Sequence, residues 1–149
     1  MIRREVETFV NRPVQDVFAY LSDFDNIPRH DPWVEEVERT SSGPIQVGAT
    51  WRHVRRMGRR RIEAPIELVE YEPNRRLTIV SVSGPISVKA AQTFESSGTG
   101  TQVREVVEMS ITGALKIMQP LIGRSVRKQA EETHRRFKEN LEQRPPSAG

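Results

Sequence analysis

The chain has 149 residues, enough for one domain with a sizeable core, and carries a modest net charge of +3. Hydrophobic residues are 36% and charged residues 29%, the balance of a soluble globular protein, and no apolar run approaches the ~18 residues of a membrane span. The absence of cysteine excludes disulfides, thiolate metal sites and a thiol nucleophile, and Met1-Ile2-Arg3-Arg4-Glu5 lacks the apolar core of a secretory signal, so the cytoplasm is the expected location.

Residues 2–10 read as a strand, with Val6, Thr8 and Val10 on one face and Glu5 and Glu7 on the other. Asn11-Arg12-Pro13 opens a helix: Asn11 or Arg12 is placed to cap it, and Pro13 suits its first turn. Val14, Val17, Phe18 and Leu21 follow at helical spacing. Asp23-Phe24-Asp25-Asn26 stops that helix and caps a short second one through Ile27 and Pro28, which Pro32 ends. From Trp33 the period changes to two. Strands are expected at 34–40, 49–57, 60–71, 77–82, 86–95 and 101–112. Turn signals separate them: Ser41-Ser42-Gly43-Pro44, Gly58-Arg59, Glu72-Pro73-Asn74, Ser83-Gly84-Pro85 and Ser97-Gly98-Thr99-Gly100. Such regular spacing argues an antiparallel meander.

The stretch 115–141 is a long amphipathic helix. Met118, Ile122, Val126, Ala130, Thr133, Phe137 and Leu141 form one stripe at steps of three and four. Arg127 with Glu131, Glu131 with Arg135, and Glu132 with Arg136 are four apart on the charged side, each pair contributing ~0.2–0.5 kcal/mol. Pro120 separates a first turn at 115–118, so the helix proper begins near Gln119. Residues 1–143 make a single domain, and 144–149 a frayed tail.

The fold class is α+β, in the order strand, two helices, six strands, one long helix. A seven-stranded antiparallel sheet with one apolar face needs a cover, and only the C-terminal helix is long enough. A twisted sheet curled around one helix is not filled by it. The gap between them is the expected ligand site.

This order, with particular residues, resembles the START-like helix-grip superfamily in its polyketide cyclase/dehydrase-like (SRPBCC) branch. The residues are Asn11-Arg12-Pro13-Val14-Gln15-Asp16-Val17-Phe18, Leu21-Ser22-Asp23-Phe24, Gly48-Ala49-Thr50-Trp51, Glu70-Tyr71-Glu72-Pro73, and Phe94-Glu95 followed by Gly100-Thr101. The resemblance implies the Bet v 1-like grip of a curved sheet around the last helix, with a deep cavity for a hydrophobic or amphipathic small molecule. Members include aromatic polyketide cyclases, lipid carriers, hormone receptors and quinone-binding chaperones. Fold and ligand class transfer from it; the reaction does not.

Alternation predicts which side chains line that cavity. The inward sets are Trp51, His53, Arg55 and Met57; Ile62, Ala64, Ile66 and Leu68; Ile86, Val88, Ala90, Gln92 and Phe94; and Val103, Glu105, Val107, Met109 and Ile111. Strand 77–82 is ambiguous, with Leu77 and Ile79 on one face and Val80 and Val82 on the other. Met118 and Leu121 are expected to form a lip over the entrance, with Ile122 beside them. Four polar groups thus fall on apolar faces: His53, Arg55, Gln92 and Glu105. Unpaired burial costs on the order of 1–3 kcal/mol, so they pair with one another, meet water or hold a ligand. His53 is the candidate for proton transfer, with Glu105 or Arg55 to orient it.

Trp33 is expected to close one end of the core or to stand at the cavity rim. The basic clusters at 52–61 and 124–136 read as solvated faces, and no zinc-finger, ribonucleoprotein or glycine-clamp motif supports a nucleic-acid partner. Capping accounts for Asp23 and Asp25 near His30 and Asp31, no metal-ligand spacing is present, and no metal or cofactor is expected. Gly98-Thr99-Gly100 is a hairpin turn rather than a phosphate loop. The leading expectation is a monomeric or homodimeric carrier of a lipid, polyketide or isoprenoid-like ligand. The alternatives are a cofactor-independent cyclase or dehydratase using His53 and Glu105, and a protein-partner module acting through the basic helix face.

Overall fold

Alternating apolar and polar residues build seven strands: β1 (Ile2–Val10), β2 (Val34–Arg39), β3 (Thr50–Met57), β4 (Arg60–Glu72), β5 (Arg76–Ser83), β6 (Ile86–Ser97) and β7 (Gly100–Ile111). The computed structural model describes residues 1–145; residues 146–149 of the expected tail, and the Met57 side chain expected to face inward, lie outside the described residues. The strands form one antiparallel sheet in the order β1-β7-β6-β5-β4-β3-β2. Helices α1 (Val14–Ser22) and α2 (Ile27–His30) lie between β1 and β2, and α3 (Gln119–Gln143) ends the chain. This is the expected α+β helix-grip architecture.

Local chemistry sets the helix ends. Pro13 occupies the cap position of α1 rather than its first turn, and no side chain caps that helix. The Pro13 carbonyl accepts from the Asp16 and Val17 amides at 3.0 and 3.1 Å instead. Asp23 Oδ1 accepts from the Asp25 amide at 3.1 Å and starts a single 3₁₀ turn, Phe24–Asn26, ahead of α2. A second 3₁₀ segment, Gly113–Met118, precedes α3, and Pro120 falls in the first turn of α3, where its missing N–H costs nothing.

Register puts the expected inner residues of neighbouring strands on one shared face. Trp51 stands opposite Ile66, His53 opposite Ala64 and Arg55 opposite Ile62. Across the centre, Ile79 meets Ala90, Ala90 meets Val107, and Gln92 meets Glu105. A register shift between Leu68 and Glu70 lets Leu68 pair with Ile79 and Tyr71 with Leu77. That resolves the ambiguous strand: Leu77 and Ile79 face inward, while Val82 is 58% exposed on the outer side.

The interior is packed at one end and only partly sealed at the other, where Ile2 and Ile111 are buried but several inner residues are not. Phe18, Phe24, Trp51, Leu68, Leu77, Phe94, Val103, Phe137 and Leu141 form a buried cluster. Phe18 and Phe94 meet edge to face at 5.1 Å, and Phe24 and Trp51 lie 4.5 Å apart. Toward the β3–β4 and β5–β6 turns the inner residues Ile62, Ser81, Val88 and Met109 are only half-buried. The reason is the position of α3, which rests chiefly on β1 and α2 rather than over the middle strands.

The buried face of α3 is Gly123, Ala130, His134, Phe137 and Leu141. It is rotated from the expected stripe: Met118 is exposed, and Ile122, Val126 and Thr133 are half-buried. Gly123 leaves room for Arg4, whose Nε donates to the Gly123 carbonyl at 3.3 Å. On the outer face Arg127–Glu131 (3.5 Å) and Arg136–Glu132 (2.8 Å) form as expected, but Arg135 turns to Glu132 and Glu139 instead of Glu131. Arg144, expected in a frayed tail, is engaged: its carbonyl accepts from Arg12, and its guanidinium lies 4.7 Å over the Tyr20 ring.

Candidate functional site: a half-open interior with a polar wall

The four polar residues expected on the inner face all lie on it, none fully exposed. They fall into two groups held by different elements.

The first group joins β3 to both later helices. Arg55 donates to Asp31 Oδ2, just past α2, at 2.7 Å, and to Gln129 Oε1 on α3, also at 2.7 Å. Asp31 Oδ1 accepts from the Trp33 amide at 3.1 Å, and Gln129 donates onward to Ser125 at 3.0 Å. Arg55 and Asp31 are 27% and 12% exposed, so water screens this pair little.

His53, two residues before Arg55, stands across from the small Ala64. Burial first, and the Arg55 cation second, push its pKa down to about 4, against a smaller opposing pull from Asp31. At neutral pH the ring is uncharged. Every sealed side-chain nitrogen and oxygen among the described residues has a hydrogen-bond partner. His53 has none, so both of its ring nitrogens must reach open space. Neither Glu105 nor Arg55 bonds to it, contrary to expectation.

The second group joins β1, β6, β7 and α3. Glu105 Oε1 lies 3.1 Å from His134 Nε2, and Glu105 Oε2 accepts from Gln92 Nε2 at 3.0 Å. His134 Nδ1 lies 2.7 Å from Thr8 Oγ1. Burial pushes the Glu105 carboxyl up, but the bond and charge of His134, with the Gln92 bond, outweigh it and leave the carboxyl below its ordinary value. His30 stands near this group, 3.4 Å from the Tyr20 hydroxyl and edge-on to Phe137. Burial lowers its pKa to about 4.

The expected lining residues divide by position. Ile62, Val88, Ala90, Val107 and Met109 keep solvent access along the loose end, with Gln92 between them and the core. Trp51, Ala64, Ile66 and Phe94 are buried at the packed end. There Trp51 borders a cleft of about 350 Å³ that opens beside Asp23, Phe24, Arg39 and Tyr71 rather than under α3. Ile122 is half-buried, while Met118 (44%) and Leu121 (60%) are exposed at the start of α3. Trp33 is half-buried next to Asp31. His134, His30, Asp31, Gln129 and Thr8 join the site without having been singled out for it. His134 had a readable signal: it follows Ala130 by four and precedes Phe137 by three.

Chemically, the wall offers a neutral imidazole, a guanidinium with two fixed partners and an amide, set among aliphatic side chains. Such a surface can hydrogen-bond one carbonyl, hydroxyl or carboxylate while the rest of a molecule contacts hydrocarbon.

Comparison with known proteins agrees with this fold. The structure is similar to that of the Zhui aromatase/cyclase from Streptomyces sp. R1128, with 15% identity, a TM-score of 0.81, and coverage of 99% of this chain and 98% of that one. TTHA0849 from Thermus thermophilus gives 16% identity and a TM-score of 0.80, covering 93% and 96% of the two chains. The di-domain aromatase/cyclase BexL of the BE-7585A biosynthetic pathway gives 18% and 0.76, covering 95% of this chain and 47% of that one. At these identities the likeness establishes the fold. No curated protein matches the chain at a significant level. The model of one sequence family does, across residues 1–142, so the chain belongs to the polyketide cyclase / dehydrase and lipid transport family.

Proposed function

We propose that this protein binds a hydrophobic or amphipathic small molecule between the inner face of β3–β7 and α3. Ile62, Val88, Ala90, Val107 and Met109 would contact the apolar body, and His53 and Arg55 its polar end. The observation that carries this reading is the run of aliphatic inner residues, Ile62, Val88, Ala90, Val107 and Met109, that a finished core would seal and that remain half-buried along the middle strands and toward the β3–β4 and β5–β6 turns. Family membership supports a small-molecule ligand in general terms.

A second reading, a cofactor-independent cyclase or dehydratase, draws on His53, whose ring nitrogens are free to meet a substrate. The magnitude of its pKa favours binding over catalysis. A base whose conjugate acid titrates near 4 is poorly matched to proton abstraction at neutral pH, because catalytic groups work best near the operating pH. Glu105, the other proposed catalytic group, already has both oxygens committed. The protein-partner reading is weakened along the second half of α3, where Arg135, Arg136 and Lys138 are paired with glutamates of the same helix.

The test uses anilinonaphthalene sulfonate, an amphipathic dye with an aromatic body and one anionic group. The native protein should bind it with enhanced fluorescence. Ala90→Trp, which puts an indole on the inner wall at the position flanked by Ile79 and Val107, should weaken binding about tenfold or more, equivalent to ~1.4 kcal/mol or above, with an unchanged circular dichroism spectrum. Undiminished dye binding by a folded Ala90→Trp variant would refute this location. Native mass spectrometry of protein from its own host would then identify the natural guest.

A further inference from the structure

Antiparallel order brings the β3–β4 turn, the β5–β6 turn and the junction after β7 to the same end of the sheet. The Thr112 amide donates to the Pro85 carbonyl at 3.0 Å and ties that junction to the β5–β6 turn. This is also the end where the inner face is loose.

Three apolar side chains stand out from the protein here. Ile117 is 87% exposed, Leu121 60% and Met118 44%. These three lie within one short segment, residues 117–121, and clustered apolar exposure of this kind marks an interaction surface.

The charge around them is one-sided. No Asp or Glu occurs from Met109 to Ala130, a stretch that holds Lys116, Arg124, Arg127 and Lys128. Among the described residues Lys116, Arg124 and Lys128 form no ion pair; Arg127 pairs with Glu131. The β3–β4 turn adds Arg59 and Arg60, exposed and likewise without an ion pair among the described residues. The far half of α3 is opposite in character, since Arg135, Arg136 and Lys138 are each neutralised. The first turn of α3 contains no acidic residue, so nothing offsets the positive end of its dipole.

Uncompensated cations at the same end as projecting aliphatic side chains fit a partner that is anionic at its surface and hydrocarbon just beneath. A nucleic acid would satisfy Lys116 and Arg124 but give Ile117 and Leu121 nothing. We propose that this end of the protein docks on an anionic phospholipid bilayer, with Ile117, Met118 and Leu121 entering below the headgroups and Lys116, Arg124, Lys128, Arg59 and Arg60 on the phosphates. No helix among the described residues is long and apolar enough to cross a membrane, so the association is peripheral. Docking does not depend on the ligand reading, but it would turn the loose end of the interior toward the lipid, where a hydrophobic guest can pass without crossing water.

Co-sedimentation with vesicles tests this. The full chain should pellet with vesicles of equal parts phosphatidylglycerol and phosphatidylcholine, and not with phosphatidylcholine alone. Binding should weaken steeply as salt is raised. Ile117→Asn and the pair Arg124→Glu, Lys128→Glu should each reduce it tenfold or more. All three positions are on the surface, and unchanged melting curves would show that folding is intact. Dye binding by Ile117→Asn should equal that of the native protein, which separates failure of docking from failure of the ligand site. Equal binding to both vesicle types, or none to either, overturns the proposal. Full retention by Ile117→Asn reduces the contact to adsorption of cations and also overturns it. So does tighter binding to a random-sequence oligonucleotide that is insensitive to Ile117→Asn, which would make the surface one for nucleic acid.

Discussion

Glu105 on β7 and His134 on α3 meet across the interior at 3.1 Å, with the imidazole 2% and the carboxylate 14% exposed. The contact fixes the long helix against the sheet midway along the molecule, and Gln92 and Thr8 complete the bonding of both side chains. Replacing His134 with Leu keeps an apolar shape but leaves Glu105 with one partner and Thr8 with none. We expect a loss of about 2–4 kcal/mol in urea unfolding, dominated by the stranded carboxylate. Glu105→Gln, which can still bond to His134, should cost less. The folded pKa of Glu105 lies below its ordinary 4.5, so its contribution is complete above that value and disappears as pH falls through the folded one.

Acid should weaken the fold earlier than this carboxylate alone requires, because of His30. Burial lowers its pKa from 6.5 to about 4 in the folded chain. Between these values the unfolded chain binds the proton and the folded one does not, so stability falls as pH drops from 6.5 toward 4. At ~1.4 kcal/mol per tenfold difference in proton affinity, the loss is about 3 kcal/mol. His53 acts in the same direction, but it is more exposed and should contribute less. Urea midpoints measured across this range should flatten in His30→Gln, most of the pH slope going with the imidazole.

Strand faces are legible in this sequence where one face is plainly more apolar: Trp51 decides β3, the set Ile86, Val88, Ala90 and Phe94 decides β6, and the run Ile62, Ala64, Ile66, Leu68 decides β4. β5 resisted because its two faces are equally aliphatic, and the irregularity that settles it, between Leu68 and Glu70, lies in the neighbouring strand. Alternation likewise put His53, Arg55, Gln92 and Glu105 on the inner wall, but not their partners. Pairing depends on where α2 and α3 cross the sheet, and no local pattern encodes that crossing. His134 shows the remaining gap. A polar residue on an apolar stripe reads as a break in the stripe until an inward-facing carboxylate is available to meet it.

Gly100 is required by contact rather than by a turn angle. A Cβ there would sit 2.5 Å from the Val10 carbonyl oxygen and against the Phe9 ring, where the end of β1 pairs with the start of β7. Backbone cannot yield as a flexible side-chain tip can. Gly100→Ala should therefore destabilise by about 2–3 kcal/mol through overpacking. Gly98→Ala, two residues earlier at φ 60° with open space around it, tests the other mechanism and should cost roughly 1 kcal/mol. Thermal melts of the two variants side by side separate a steric clash from backbone strain.

Arg55 links the stability of the fold to the chemistry of the wall, and Arg55→Met separates the two. The guanidinium holds Asp31 and Gln129, so its removal should cost about 1–3 kcal/mol by leaving a mostly buried carboxylate short of a partner. It is also the second cause of the low pKa of His53, after burial. Without the cation the imidazole should titrate above 4 but still below 6.5, since burial remains. Proton NMR of the ring resonances follows this directly, with His53→Gln assigning the signal. If His53 and Arg55 form the polar end of the ligand site, the sulfonate dye should bind Arg55→Met about tenfold more weakly, because the lost cation outweighs any gain from an imidazole that is still neutral at pH 7. Unchanged dye affinity together with a raised His53 pKa would mean that Arg55 serves the fold alone, and that the polar end of the guest lies elsewhere on the wall.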